Sequence, residues 1–333
     1  MVASSPLLRL PGMTEELARV EDGLRQSVVT DDPFLTQLTS HLVAAGGKRW
    51  RPALAVAAGA CGVGGLPVSD EVILGGVAVE LVHLGSLYHD DVMDEASTRR
   101  GVESVNARWG NLRAILAGDF LLAKASEIAA SLGTEVAALL AATIGDMCEG
   151  QVRELQTAFD AGRTEEQYLA AIAGKTASLA AAACRIGALV AGLPRDQVDA
   201  LTAYGQRFGM AFQIVDDVLD VVATDEELGK PAGNDLAEGV YTLPVIRALD
   251  GSPQAEELAA LLGRPLPPAD IERARALVRA DGTIDSALSL AGRYCDEAVR
   301  SLAGLGDLDD GGAVDDLVAT AGSLLDTVPG ASG

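Results

Sequence analysis

Asp90-Asp91-Val92-Met93-Asp94 closes a long apolar run, and Asp216-Asp217-Val218-Leu219-Asp220 closes a second one far down the chain. On an α-helix, residues four apart share a face, so Asp90 and Asp94 point the same way, as do Asp216 and Asp220. Like charges at that spacing repel each other and weaken the helix. A chain that accepts this twice, beside otherwise apolar residues, collects cations there. Clustered carboxylate oxygens suit the hard ion Mg²⁺, shared with substrate phosphates. One pentad alone reads equally well as a solvated acidic helix end; the second tilts the balance toward a metal site.

The rest of the chain supports helices around these two stretches. Composition is 49% hydrophobic with only 4% aromatic residues. Alanine is abundant and β-branched runs are short, which favours helix over strand and predicts an all-α protein. The 333 residues allow one large or two ordinary domains. No low-complexity linker divides them, so residues 1–333 read as one domain, a bundle whose motifs lie in 46–244 and whose helices in 250–333 complete it. Lys+Arg 25 against Asp+Glu 48 gives 25 − 48 = −23, which argues against a nucleic-acid partner or a stable dock on anionic lipid. Cys61, Cys148, Cys184 and Cys295 form no CxxC pair and read as reduced core thiols. The N-terminus lacks a basic-then-apolar signal pattern, Ala177–Leu193 is interrupted by Arg185, and Ala53–Leu66 is short and glycine-rich. No membrane insertion is expected, and the expected compartment is the cytoplasm.

In chain order, a helix is expected from Thr14, opening on a capping box, to about Val29. A second run ends in Gly46-Gly47-Lys48-Arg49-Trp50-Arg51-Pro52. Lys48 and Arg51, near the start of the next helix, make an anion site of the sort that holds a phosphate, or else a basic loop balancing an acidic surface. The helix Asp70–Asp94 carries His83 and Ser86 on the Asp90 face. His83 reads either as a core histidine or as a phosphate donor. Arg99 and Arg100 follow as salt-bridge partners or bidentate phosphate ligands. Helix is expected over Asn106–Ala130, Thr134–Leu155 and Thr164–Leu193. Lys175 in the last of these stands in a nearly charge-free stretch, so an anion is expected nearby. Gln213 shares the Asp216 face, and a loop over Glu227–Leu236 brings Lys230 within reach of the cluster. Further helices, Ala255–Leu262, Ala269–Ala280 and Thr283–Leu302, carry no evident chemistry.

Taken together, Gly-Gly-Lys-Arg-x-Arg-Pro, the first DDxxD with its trailing Arg-Arg-Gly, Lys175-Thr176, Phe-Gln-x-x-Asp-Asp-x-x-Asp and Gly-Lys-x-x-Gly-x-Asp resemble the trans-isoprenyl diphosphate synthases, the polyprenyl synthetase family. The resemblance spans about Gly46 to Pro244. It implies a bundle of antiparallel helices around a deep central cavity, a homodimer, and head-to-tail condensation of isopentenyl diphosphate with an allylic diphosphate such as farnesyl or geranylgeranyl diphosphate. It places the metal ion, Mg²⁺ with Mn²⁺ as a substitute, on Asp90, Asp94, Asp216 and Asp220, with Asp91 and Asp217 assisting from behind. By the same resemblance Lys48, Arg51, His83 and Arg100 hold isopentenyl diphosphate, and Arg99, Lys175, Thr176, Gln213 and Lys230 hold the allylic diphosphate. Released pyrophosphate is the base that the family implies. Val240-Tyr241 stand where many relatives place a further lysine.

The resemblance also puts the floor of the product tunnel at Gly85 and Ser86, with Val82, Val79, Gly76 and Gly75 deeper along the same helix, at about 1.5 Å per residue. Small residues there predict an open tunnel and a long all-trans product, from heptaprenyl to decaprenyl. Geranylgeranyl diphosphate is the alternative, should a residue near Ile115 or Phe120 plug it; a subunit of a heteromeric synthase is a third reading.

Overall fold

The computed structural model describes residues 10–228, 231–280, 282–305 and 311–329, and nearly all of that backbone is helical. The order is α1 (Met13–Ser27), α2 (Pro33–Ala44), α3 (Trp50–Val63), α4 (Asp70–Met93), strands β1 (Thr98–Arg99) and β2 (Val102–Glu103), then α5 (Val105–Trp109), α6 (Asn111–Ser131) and α7 (Thr134–Gln156). Next come α8 (Glu165–Ile172), a π-helical turn Ala173–Ala177, α9 (Ser178–Val190), α10 (Arg195–Val222), α11 (Asp225–Leu228) and α12 (Asn234–Glu238). The chain continues through α13 (Leu243–Gly251), α14 (Ala255–Leu261), α15 (Pro268–Val278), α16 (Thr283–Ser301) and α17 (Ala313–Gly322).

The all-α bundle expected from composition is what the chain forms. Its centre is α4, which packs against α3, α6 and α9, while α9 and α16 flank α10. Val72, Val77, Val79, Leu81, Val82 and Leu84 of α4 are buried within it, so the two acidic pentads sit at the ends of helices anchored by apolar contact on several sides. Val221, Leu236, Tyr241, Val245, Leu258 and Val278 form a smaller core beneath the end of α10. Segments 70–93 and 165–190 are long and apolar enough to cross a membrane by composition, and both are largely buried in the bundle.

Local chemistry explains the helix starts. The Asp32 carboxylate accepts the Phe34 and Leu35 N–H groups at 2.8 and 3.1 Å, with Pro33 at the first helical position. Thr164 and Gln167 form a reciprocal capping box on α8.

Several expectations differ from the structure. α1 opens at Met13 behind a left-handed Gly12, without a side-chain cap, so Thr14 lies inside the helix and caps nothing. The helix expected over Asn106–Ala130 breaks at Gly110, whose φ of 89° and ψ of 155° only glycine adopts freely. Thr164–Leu193 contains the π turn at 173–177. The stretch expected as a loop over Glu227–Leu236 includes the last two residues of α11 and the start of α12; Lys230 within it lies outside the described residues. Gly75 and Gly76 are packing residues: a Cβ at 75 meets Ile186 of α9 at 2.7 Å, and one at 76 meets Pro52 and Val20 at 3.6 Å. They face different neighbours. Neither Ile115, 40% exposed, nor the half-buried Phe120 is enclosed as a plug.

Candidate active site

The end of α4 and the hairpin after it form the first wall. Arg100 and Gly101 both have positive φ, 54° and 76°, giving the two-residue turn that joins β1 to β2 with the strands' natural twist. This turn sends the two arginines in different directions. Arg99 donates from Nε to Asp91 Oδ1 at 2.7 Å, with Nη2 also 2.7 Å away. Asp91 is 1% exposed, so its carboxylate holds the hairpin from inside. Arg100 turns back to donate to the Gly46 carbonyl and lies 3.9 Å from Glu80. Gly47 leaves room for it, since a Cβ there would come within 2.7 Å of Arg100 Nη1.

The basic loop before α3 divides its cations by depth. Arg49 is 5% exposed and pairs with Glu21 at 2.5 Å and Glu80 at 2.8 Å, a structural role for one of the three cations. Lys48 is exposed. Arg51 is 9% exposed; its guanidinium lies 4.3 Å from the Trp50 ring centroid and its Nε has no hydrogen-bond partner. Burial pushes it down to about 10, with Glu80 and Asp216 pulling the other way. Trp50 in turn stacks on Phe212 of α10 at 4.4 Å, setting Arg51 beside the second acidic stretch. His83 is held well below the usual histidine range by burial and by Arg51, Arg100, Arg49 and Arg99. It is therefore neutral, with one N–H to donate.

Opposite α4 stands the π turn carrying Lys175 and Thr176. α7 and this turn approach so closely that a Cβ on Gly150 would fall 2.3 Å from Lys175 N, and one on Gly174 2.6 Å from the Asp146 carbonyl. Only glycine fits either position, and π turns recur at functional sites because they re-aim side chains. Lys175 Nζ donates to Glu154 Oε1 at 2.5 Å, and Asp90 and Asp94 add to the field that raises its pKa. The surroundings of Lys175 are thus acidic. Burial lifts Asp90 to about 6, Lys175 opposing and Asp94 adding to the rise. Asp94 is raised for the same first reason.

On α10, Asp216 is exposed while Asp220 is 2% exposed. Asp220 Oδ2 accepts the Asp235 N–H at 3.2 Å and its carbonyl accepts the Gly233 N–H at 2.9 Å, tying the loop after α10 to the helix. Asp217 is 4% exposed at the end of a relay. Thr176 donates to Gln213 Oε1 at 2.7 Å, Gln213 to Asp217 Oδ1 at 2.7 Å, and Tyr168 to Asp217 Oδ2 at 2.6 Å. Burial pushes Asp217 up to about 7 despite these donors. Thr176 and Gln213 are thereby engaged with Asp217.

The tunnel residues part company. Gly85 faces α6, where a Cβ would come 3.1 Å from the Gly118 carbonyl and 3.1 Å from Leu122 Cγ. Val82 is 1% exposed, whereas Ser86 is half-buried and donates to the His83 carbonyl at 2.9 Å. Sequence reasoning passed over Glu80 and Glu154. Glu80 is a lone acid in the apolar run Val72–Leu84, and a charge there demands a partner. Glu154 lies one turn beyond Gln151 on α7 and is the anion that Lys175 called for.

Carboxylate oxygens are the right donors for a hard divalent ion; in the two pentads Asp91 is held by Arg99, Asp217 by Tyr168 and Gln213, and Asp220 by the Asp235 N–H, which leaves Asp90, Asp94 and the exposed Asp216 to face an ion. Among the described residues no three His, Cys, Asp or Glu side chains form a ready metal cluster. That donor set fits an ion whose sphere is completed by phosphate and water.

Residues 32–279 match the polyprenyl synthetase family model. The chain is 40% identical over 294 residues to nonaprenyl diphosphate synthase of Mycobacterium tuberculosis, covering 88% of this chain and 87% of that one. It is 39% identical over 297 residues to heptaprenyl diphosphate synthase component 2 of Geobacillus stearothermophilus, covering 88% and 91%. The crystal structure of a polyprenyl synthase from Caulobacter crescentus, complexed with calcium and isoprenyl diphosphate, superposes with a TM-score of 0.87 at 35% identity, covering 96% of this chain and 97% of that one.

Proposed function

This chain belongs to the polyprenyl synthetase family, and from that premise we propose that it condenses isopentenyl diphosphate with an allylic diphosphate, repeatedly and head to tail, into a long all-trans polyprenyl diphosphate. The observation that carries the reading is the pairing of Asp90 and Asp94, raised carboxyls on one helix face, with Lys175 across from them and the partner-poor buried Arg51 alongside. This is a surface built for an anion that arrives with its own cation.

Asp90, Asp94 and Asp216 would hold Mg²⁺, which neutralises charge growing on the departing pyrophosphate. Lys175 leaves Glu154 to meet the allylic diphosphate, and Arg99, fixed by Asp91, flanks it. Lys48, Arg51, Arg100 and the neutral His83 bind isopentenyl diphosphate. The burial of Arg51, and the partial burial of His83 and Arg100, make those contacts stronger than they are in water. Apolar α4 residues such as Val82 exclude water that would quench the allylic cation before the double bond attacks it. The long product is supported by the relatives named for nonaprenyl and heptaprenyl chains. Leu112, Ile115 and Leu116 on α6, with Val152 and Leu155 on α7, are 40 to 72% exposed, an apolar face suited to a second copy of the chain.

Incubation with farnesyl diphosphate, isopentenyl diphosphate and Mg²⁺ should release pyrophosphate and yield heptaprenyl to decaprenyl products by chromatography. Geranylgeranyl diphosphate as the sole product overturns the chain length, and no pyrophosphate release overturns the reaction.

A further inference from the structure

Gly205, Gly209, Gln213 and Asp217 follow one another at four-residue intervals and form a stripe along α10. A Cβ on Gly205 would come 2.6 Å from the Ala180 carbonyl, and one on Gly209 2.7 Å from Ala177 Cα, so α10 lies directly on the backbone of α9 and of the π turn before it. One turn further along, the small residues give way to polar ones. The Thr176 hydroxyl donates to Gln213 Oε1 at 2.7 Å, and Gln213 Nε2 donates to Asp217 Oδ1 at 2.7 Å. The series ends on α8, where the Tyr168 hydroxyl donates to Asp217 Oδ2 at 2.6 Å. Tyr168 is 1% exposed and Thr176 6%, so both ends of the series are buried along with Asp217.

Three segments are thus joined by side-chain hydrogen bonds in sequence, and both Asp217 oxygens are used. A buried polar network is rigid when every member is bonded and becomes costly when one link is lost. Its far end is Thr176, the residue after Lys175 in the π turn. That turn is held from two sides: α7 presses on it at Gly150, and α10 meets it first through Gly209 and then through Gln213. We propose that Tyr168 is a positioning residue for the allylic diphosphate: through Asp217, Gln213 and Thr176 it braces the π turn that presents Lys175 opposite α4. Asp217 acts in this series as a strut, its two oxygens directed to Tyr168 and Gln213. The role rests on the allylic reading of the Lys175 site and deepens it with a residue of α8 that none of the sequence motifs contains.

The test compares the wild-type protein with Tyr168→Phe, Gln213→Met and the double variant Tyr168→Phe/Gln213→Met. Amide hydrogen exchange is followed over residues 173–177 in the substrate-free protein, and KM is measured separately for farnesyl and isopentenyl diphosphates. Tyr168→Phe keeps the ring and its packing and removes only the hydroxyl. It should speed exchange over 173–177 by about tenfold while residues 180–190 of α9 exchange as in wild type. It should also raise the farnesyl diphosphate KM by about tenfold and leave the isopentenyl diphosphate KM within about twofold. In the Gln213→Met background the same change should move the farnesyl diphosphate KM by less than about twofold, because the link it acts through is already cut. Unchanged exchange over 173–177, equal effects on both KM values, or an undiminished tenfold rise in that background overturns the role. Faster exchange throughout the chain with both KM values unmoved makes Tyr168 structural only and overturns it as well. If Tyr168→Phe does not fold, Gln213→Met decides without substrate: faster exchange confined to 173–177 supports the brace, and exchange as in wild type overturns it. A wild-type protein that fails to condense the two diphosphates overturns the proposed function itself, a result distinct from failure of the brace, which the exchange measurement reads without substrate.

Discussion

Replacing Asp90 by asparagine should make the metal-free protein more stable while abolishing its activity. Burial, reinforced by Asp94 and Glu154 and opposed by Lys175 and Arg99, lifts this carboxyl from 3.8 to about 6. The native state thus holds the proton more tightly than the unfolded chain, so stability falls as pH rises from 3.8 to about 6, and the full penalty is present above that. At 1.36 kcal/mol per pH unit, the ionised carboxylate costs the fold about 3 kcal/mol. Asparagine keeps the shape without the charge. Asp90→Asn should therefore gain up to about 3 kcal/mol near pH 8, which is about 4 °C in Tm for a chain of this length. The gain should fade as pH falls and vanish below about pH 4, where the wild-type carboxyl is protonated in both states. Adding Mg²⁺ with pyrophosphate should reverse the order, stabilising the wild type by binding and leaving the variant where it was. Thermal melts in chelator at both pH values, repeated with Mg²⁺ and pyrophosphate, measure all of this. An Asp90→Asn protein no more stable than wild type near pH 8 in chelator, or equally favoured near pH 4, would refute the argument that these carboxylates are held at a cost for a cation.

Three further outcomes follow from the geometry. Ser86→Phe should shorten the products sized by chromatography, whereas Gly85→Phe drives its ring into the Gly118 backbone of α6 and should lower Tm sharply; a Gly85→Phe enzyme of normal stability would contradict that packing. Glu80→Gln leaves the buried Arg49 short of one carboxylate and should cost about 3 kcal/mol in urea unfolding; a loss under about 1 kcal/mol makes the pair dispensable. Leu112→Asp with Leu116→Asp should convert a dimer to a monomer in sedimentation, and an unchanged assembly would show that this face of α6 is not the contact.

What could be read from residue order was whatever depends on local spacing. Helical periodicity and alanine content specify the bundle. The i, i+4 carboxylates announce a cation because they repel whatever the rest of the fold does, and the charge balance argues against a nucleic-acid partner. Tertiary packing decided which polar atoms remain free. Arg49 and Arg51 are two residues apart in one basic motif, yet one is consumed by Glu21 and Glu80 while the other keeps a buried, unbonded Nε. Asp216 and Asp220 share a helical face by spacing, yet the loop that returns through Gly233 and Asp235 covers Asp220 and leaves Asp216 exposed. Gly75 and Gly85 look alike as small side chains in a list, yet packing sets their neighbours, Ile186 of α9 against the one and the Gly118 backbone of α6 against the other. Glu154 and Lys175 come from two separate segments, and nothing local could show them meeting. Spacing along one helix is a local property of the backbone, but burial and pairing depend on which other segment arrives at the same point, and that is settled only when the helices pack.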